Sequence, residues 1–284
     1  MNNKVIACGK LNLTLDVVGK REDGYHDILS VFQSVGLCDI ITITTDCRNW
    51  SIKSDSTVMP NDDSNLALKA ARAFAEKTGF SRSGMEIDIV KQIPIFAGFG
   101  GGSADAGTVL MELNSRYGDP LCMDELDELA LEIGSDVPFF LRGGTCLVSG
   151  RGENVKPIAA FPDCHLIVCK PPADFSAGQM YSLLDSRVIE KRPDTNAFVA
   201  ACEKGDLKDA CSHIYNVFEP LATELCPDVA VIKDIMLSNG ALAASLTGKG
   251  PSVFGLFDDF GKMAVTISRL LKKYKNTYYT DLRV

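Results

Sequence analysis

PIFAGFGGGSADAG, residues 94–107, places glycine at four of the five positions from Gly98 to Gly102 and then opens an expected helix with Ser103. Backbone without side chains can approach a phosphate closely. A helix N-terminus directly behind it adds unpaired N–H donors and the positive end of the peptide dipole. The stretch reads as a phosphate cradle, against the plainer alternative of a glycine turn that lets a helix pack tightly. Two familiar forms are excluded. A Walker loop closes with Lys-Ser/Thr, and here Gly102 is followed by Ser-Ala-Asp. A dinucleotide fingerprint wants G-x-G-x-x-G and an acidic residue about 20 positions on. Counting from Gly98 puts Ser103 at the third glycine, and counting from Gly100 puts Asp105 there.

Outward from the loop, residues 85–91 read as the strand that feeds it through Pro94, and residues 104–117 as the helix behind it. On the N-terminal side, residues 5–8, 13–18, 27–35 and 40–45 alternate or cluster apolar and β-branched residues, with turn signals at Gly19 and Asp23-Gly24. The segment 27–35 would also suit a helix. A helix is expected over 65–78, with Ser64 as its N-cap and Gly79 just past its end. Beyond the loop, a helix over 123–133 leads into Gly-Ser-Asp-Val-Pro at 134–138. A strand over 166–170, helical patterns over 177–237, strands over 242–246 and 252–257, a helix over 261–274 and a last strand near 278–283 complete the chain. Strands joined by short turns, without strict alternation with helices, point to an α+β fold rather than a doubly wound parallel sheet.

Composition narrows the function classes. At 284 residues, 46% hydrophobic and 23% charged, the chain has the make-up of a globular protein of one large or two modest domains. Its net charge of −8 argues against a nucleic-acid surface, and no apolar run suits a membrane span or a secretory leader. Ten cysteines without a C-x-x-C pair, many inside apolar segments, read as buried reduced thiols in a reducing compartment. The three histidines show no metal-ligand spacing. A cytoplasmic protein, monomeric or weakly dimeric, without nucleic-acid or membrane partners, is the expectation.

Four segments stand out together: GKLNLTLDVVGKREDGYHDILSVFQSV from Gly9, the glycine loop, GSDVPFFLRGG from Gly134 and LTGKGPSVFGLF from Leu246. In order and spacing, over residues 4–283, the set resembles the GHMP kinases. The first segment and the DVPFFL run narrow the resemblance to the branch that phosphorylates the 2-hydroxyl of a cytidine-diphosphate-linked methylerythritol in the non-mevalonate isoprenoid route. The resemblance implies a two-domain fold with the active site in the cleft between the halves. Residues 1–157 would form the ATP-binding domain and 158–284 the substrate domain. It implies ATP and Mg²⁺ as cofactors. Alternative readings are a kinase of another small alcohol, of the homoserine or mevalonate type, and a non-catalytic nucleotide or metabolite sensor on the same fold.

Phosphoryl transfer to an alcohol needs the γ-phosphate in line, its charge neutralised and the hydroxyl proton removed. With the resemblance, Asp136 is the candidate base and Lys10 the cation beside it. Asn12, two residues on, shares a strand face with Lys10 and fixes the hydroxyl or the phosphate. On local grounds alone Lys10 would be a solvated strand residue and Asp136 a turn or cap acid. The resemblance assigns Pro94, Ala97, Gly98, Gly100, Gly101, Gly102, Ser103 and Ala104 to the nucleotide, Ser103 also as the candidate Mg²⁺ contact. Asn65, Leu66 and Lys91 fall on its adenosine side. On the substrate side stand Tyr25, His26, Tyr181, Thr247, Gly248 and Asp136. Tyr25 and Tyr181 are expected to sandwich the cytosine while His26 bonds its edge. Two departures from the family pattern are Ala104, where a second hydroxyl residue usually follows the glycines, and Lys249 in the Thr247–Pro251 turn. Lys249 reaches the phosphates or stays in solvent.

Overall fold

The computed structural model describes residues 2–80 and 83–283. The segment expected as four N-terminal strands folds as two long ones, β1 (Asn2–Lys20) and β2 (His26–Cys47), paired antiparallel along almost their whole length. Three register shifts, at Cys8/Lys10, Asn12/Thr14 and Val17/Gly19, let the ladder bend without ending. These shifts, read in sequence as breaks, are bulges. Residues 27–35, ambiguous in sequence, are strand, because both edges of β2 are paired in this region.

β3 (Ser51–Ser54) runs parallel to β4 (Gly84–Val90), which pairs with β2. Between them α1 (Leu66–Thr78) packs Leu68, Ala71 and Phe74 into the core. Its N-cap is Asn65, one residue later than the expected Ser64, and Gly79 caps its C-terminus with φ 71°. Beyond the glycine loop come α2 (Gly101–Arg116), α3 (Met123–Ile133) and the short α4 (Val137–Phe140). β5 (Thr145–Gly150) pairs with β2, and β6 (Asn154–Pro157) with β5. α2 opens at Gly101, two residues ahead of Ser103, so the last glycines belong to its first turn.

The second sheet has the order β11-β7-β10-β9, all antiparallel, from β7 (His165–Cys169), β9 (Ala243–Leu246), β10 (Val253–Phe257) and β11 (Thr277–Thr280). Its intervening chain holds α5 (Ala177–Asp185), α6 (Thr195–Lys204), α7 (Leu207–Ser212), α8 (Glu219–Leu225) and α9 (Asp228–Ser238), and α10 (Phe260–Leu270) lies between β10 and β11. β8 (Tyr215–Asn216) crosses back and pairs parallel with β1 at the edge of the first sheet. The arrangement is α+β, as the order of elements in sequence indicates.

Two apolar clusters make up the core, and each draws residues from both sheets. One packs α1 and α2 onto Ile41, Ile43, Ile87 and Ile89, and the other joins Phe139, Phe218, Met236 and Phe257. Fully burying a side chain of this size contributes roughly 1.5–3 kcal/mol, so clusters that span both sheets hold the two halves together beside the cleft. The cysteines depart from the all-thiol expectation. Cys8 and Cys38 are directly opposite on β1 and β2 and form a disulfide, while the other eight are free. Cross-strand partners that close can be bridged, and sequence separation gives no sign of it.

Candidate active site

A cleft of about 890 Å³ is lined by β1, the turn into β2, the glycine loop, the start of α4, α5 and the loop after β9. At one end the glycine loop bends through left-handed conformations at Phe96, Gly98 and Gly100. A Cβ on Gly98, φ 83°, would sit 2.3 Å from the Thr247 carbonyl oxygen, so only glycine lets the loops from the two halves meet. Gly100 is the N-cap of α2 and has no side chain to bond the first N–H groups. The start of a 16-residue helix therefore opens on the cleft with donors free for an anion.

Lys10 and Asn12 face the same side of β1, as their spacing predicts. Lys10 is 3% exposed; its Nζ donates to Asn12 Oδ1 at 2.6 Å and lies 3.7 Å from Asp136 Oδ2 and 4.3 Å from the centroid of the Phe32 ring. Burial lowers the Lys10 pKa, and Asp136 opposes that by favouring the charge. Asn12 is a hub. Its Nδ2 donates to Ser30 Oγ at 2.9 Å and its Oδ1 also accepts from Gly248 N at 2.9 Å, tying β1 to the loop after β9. Asp136 stands at the N-cap of α4 yet makes no capping bond, which leaves its half-exposed carboxylate to the cleft. The close approach that brings it there runs through Gly107, where a Cβ would meet Phe140 Cβ at 2.6 Å.

Of the residues assigned to the nucleotide, Pro94, Ala97, Gly98, Gly100, Gly101, Gly102, Ser103, Asn65, Leu66 and Lys91 line the cleft. Ala104 does not; it is fully buried beneath the loop. Asn65 is committed to its helix, with Oδ1 accepting from Ala67 N at 2.9 Å and Nδ2 donating to the Pro60 carbonyl at 2.9 Å. Lys91 bonds Asp39, and Asp105 at 2.9 Å, in a buried triad beneath the loop. Burial works against its charge, and Asp105 and Asp39 outweigh it and hold its pKa above the usual range. Burial pushes Asp105 up to about 7 against the pull of Lys91, with Asp39 adding to the rise. Asp39 and Asp105 escaped the sequence reading, although Asp105 lies inside the quoted loop.

At the other end of the cleft stand Tyr25, His26 and Tyr181. Tyr25 and Tyr181, expected to sandwich a bound base, both line this end. His26 lies against Tyr181, with centroids 4.6 Å apart and planes 26° from parallel. Tyr25 is 50% exposed and carries the Arg151 guanidinium 4.6 Å from its centroid. An Asx turn, Tyr25 N to Asp23 Oδ1 at 3.1 Å, and Gly24 at φ 86° fix the turn that presents both rings. Arg151, Asp185 and Lys20 also line this end, and nothing local in sequence marks them.

Gly248 lines the cleft, but Thr247 is buried behind it, its Oγ1 accepting from Asn12 N at 3.3 Å and donating to the Gly98 carbonyl at 3.3 Å. Lys249 lines the cleft with its amine bonded to the Phe175 carbonyl. Burial, followed by the nearby Lys10 charge, lowers its pKa.

Residues 65–144 match the GHMP kinases N terminal domain and residues 198–276 the GHMP kinases C terminal domain. The chain is 37% identical over 274 residues to the 4-diphosphocytidyl-2-C-methyl-D-erythritol kinase of Clostridium novyi (strain NT), covering 96% of this chain and 98% of that protein. It is 41% identical over 252 residues to the protein of the same name from Caldicellulosiruptor saccharolyticus, covering 88% of this chain and 87% of that one. A crystal structure of 4-(cytidine 5'-diphospho)-2C-methyl-D-erythritol kinase superposes with a TM-score of 0.81 at 27% identity, over 99% of this chain and 100% of that one. A homoserine kinase from Cytophaga hutchinsonii shares the fold, with a TM-score of 0.77 at 19% identity over 99% and 95% of the two chains.

Proposed function

The chain belongs to the GHMP kinases, and we propose that this ATP-dependent small-molecule kinase phosphorylates the 2-hydroxyl of 4-diphosphocytidyl-2-C-methyl-D-erythritol. One observation carries the reading: a single cleft joins an uncapped helix start to an aromatic cluster, with Lys10, Asn12 and Asp136 also on its wall. A substrate without a base gives no reason for Tyr25, His26 and Tyr181 at the far end. A sensor would need the cradle but not the lysine–carboxylate pair.

The ATP phosphates lie on the N–H groups at the start of α2, with Gly98 allowing their close approach. The acceptor hydroxyl sits between Lys10 and Asp136. Its oxygen bonds to the γ-phosphorus as the bond to the β–γ bridging oxygen breaks, ADP leaves, and the hydroxyl proton passes to Asp136. Lys10 steadies charge on the transferring group, and Asn12 holds the Lys10 amine in place. Lys10 is buried against an aromatic ring, so its charge acts with little solvent screening.

Mg²⁺ fits as a nucleotide-borne ion. Among the described residues no group of three or more His, Cys, Asp or Glu is placed to hold a metal. The hard oxygen of Ser103 at the helix start would hold it together with phosphate oxygens. Bound there, it supplies neutralisation of phosphate charge.

We place the domain boundary between 157 and 158, where β6 of the first sheet gives way to β7 of the second. No helix among the described residues is long and apolar enough to cross a membrane. We propose a cytoplasmic enzyme, monomeric or weakly dimeric, and the net charge of −8 favours the absence of nucleic-acid partners.

Phosphorus NMR of the protein with Mg·ATP and the cytidine-diphosphate methylerythritol tests the reading. The expected result is a new phosphomonoester resonance with an equal amount of ADP. Turnover of homoserine or mevalonate instead would overturn the substrate, and binding of both ligands without product would favour a sensor.

A further inference from the structure

His26 is gripped at two points by one helix. Tyr181 and Asp185 stand four residues apart on α5 and so share a face. Tyr181 stacks on the imidazole, and Asp185 Oδ1 lies 2.6 Å from His26 Nε2. The second carboxylate oxygen of Asp185 accepts from Lys20 Nζ at 2.6 Å, and the His26 side chain is 9% exposed. Hydrogen bonds from Lys20 and then His26 hold the Asp185 carboxyl below its usual range. It is therefore an ionised group that only accepts, and the hydrogen between it and the imidazole belongs to Nε2. In the neutral ring that leaves Nδ1 as a lone-pair acceptor.

We propose that Asp185 is a specificity-determining positioning residue: by fixing the Nε2–H form of His26, it makes Nδ1 an acceptor for the exocyclic amine of cytosine. Uracil carries a carbonyl at that position. Against the same Nδ1 it would set acceptor against acceptor and leave both unpaired in a partly desolvated pocket. Asp185 itself need not touch the base. The inference rests on the substrate reading above, and it adds which group on the enzyme decides between two pyrimidines that stack equally well.

Two measurements test it. In ligand-free, ¹⁵N-labelled protein, His26 should show an unprotonated-type Nδ1 resonance and a protonated-type Nε2 resonance, assigned by their loss in His26→Gln. The Nδ1–H form in the wild type would overturn the proposal. In kinetics, Asp185→Ala should lower the ratio of kcat/KM for the cytidine- over the uridine-linked acceptor by at least about tenfold. The loss should fall on the acceptor KM, with kcat and the KM for ATP held within about twofold. Lys20→Ala removes the other partner of the carboxylate and should leave the ratio intact. An unchanged ratio in Asp185→Ala would overturn the proposal. Should the wild type phosphorylate neither acceptor, the substrate reading falls and the specificity role with it, while the ¹⁵N measurement still decides whether His26 takes the Nε2–H form.

Discussion

At the end of the cleft proposed for the phosphates, the groups left open are backbone N–H groups of neighbouring residues at the start of α2. At the end proposed for the base they are side chains from three separate places: Tyr25 and His26 from the turn into β2, Arg151 after β5, and Tyr181 and Asp185 from α5. The first end is specified by what is missing, since a Cβ at Gly98 would collide with the Thr247 backbone. The second is specified by rings and charges that meet only after folding. An end made of backbone fails through geometry when altered, and an end made of side chains fails through lost affinity.

Gly98→Ala should break the phosphate end most severely. A left-handed φ and a 2.3 Å approach to Thr247 leave the loop no position that keeps both halves in place. The expected result is about a 100-fold loss of kcat/KM for ATP and a melting temperature lower by roughly 5 °C. Normal ATP kinetics would show that the loop does not depend on this conformation. Tyr25→Ala should act at the other end alone. The KM for the nucleotide-linked acceptor should rise about tenfold, as loss of base stacking requires, while the KM for ATP and the melting temperature stay put. A change in the ATP constants instead would deny the separation of the two ends.

The ion triad under the loop sharpens the contrast, because it is a side-chain foundation for a backbone site. The folded protein keeps a proton on Asp105 up to about 7, against an ordinary 3.8. The unfolded chain releases that proton earlier, so this group's contribution to stability falls as pH rises between the two values. Asp105→Asn should flatten that part of the curve, read as a smaller drop in melting temperature from pH 5 to pH 8 than in the wild type. An identical drop would remove the triad from the account. The smallest effect is expected at Lys249, whose amine rests on the Phe175 carbonyl. Lys249→Ala should weaken ATP binding about threefold at low salt and less at high salt, as for one partly screened charge. Unchanged affinity at low salt would mean that Lys249 does not reach the phosphates.

The same contrast governs what could be read from the chain beforehand. The glycine loop was legible because consecutive residues determine what a backbone can do, and α1 was legible from its periodicity and Gly79. The α+β class followed from the order of elements. Lys10, Asn12 and Asp136 became legible only jointly, through motifs in fixed order. Bulges hid the continuity of β1 and β2, since local alternation breaks where the ladder does not. The pairing of Cys8 with Cys38 depends on cross-strand register. The partners of Lys91, the cation over Tyr25 and the ring against Tyr181 are products of packing between distant segments. Asn65 shows the converse, a residue assigned to the nucleotide whose side chain is fully occupied as the cap of α1, one position past the expected Ser64.

The claim that both ends serve one reaction at Lys10, Asn12 and Asp136 is tested most directly by steady-state kinetics of Asp136→Asn with both substrates varied. The account predicts that kcat falls by about 10²–10⁴-fold, the range for a lost general base, while both KM values stay within about threefold. A kcat within about twofold of the wild type, or a loss confined to either KM, would contradict it.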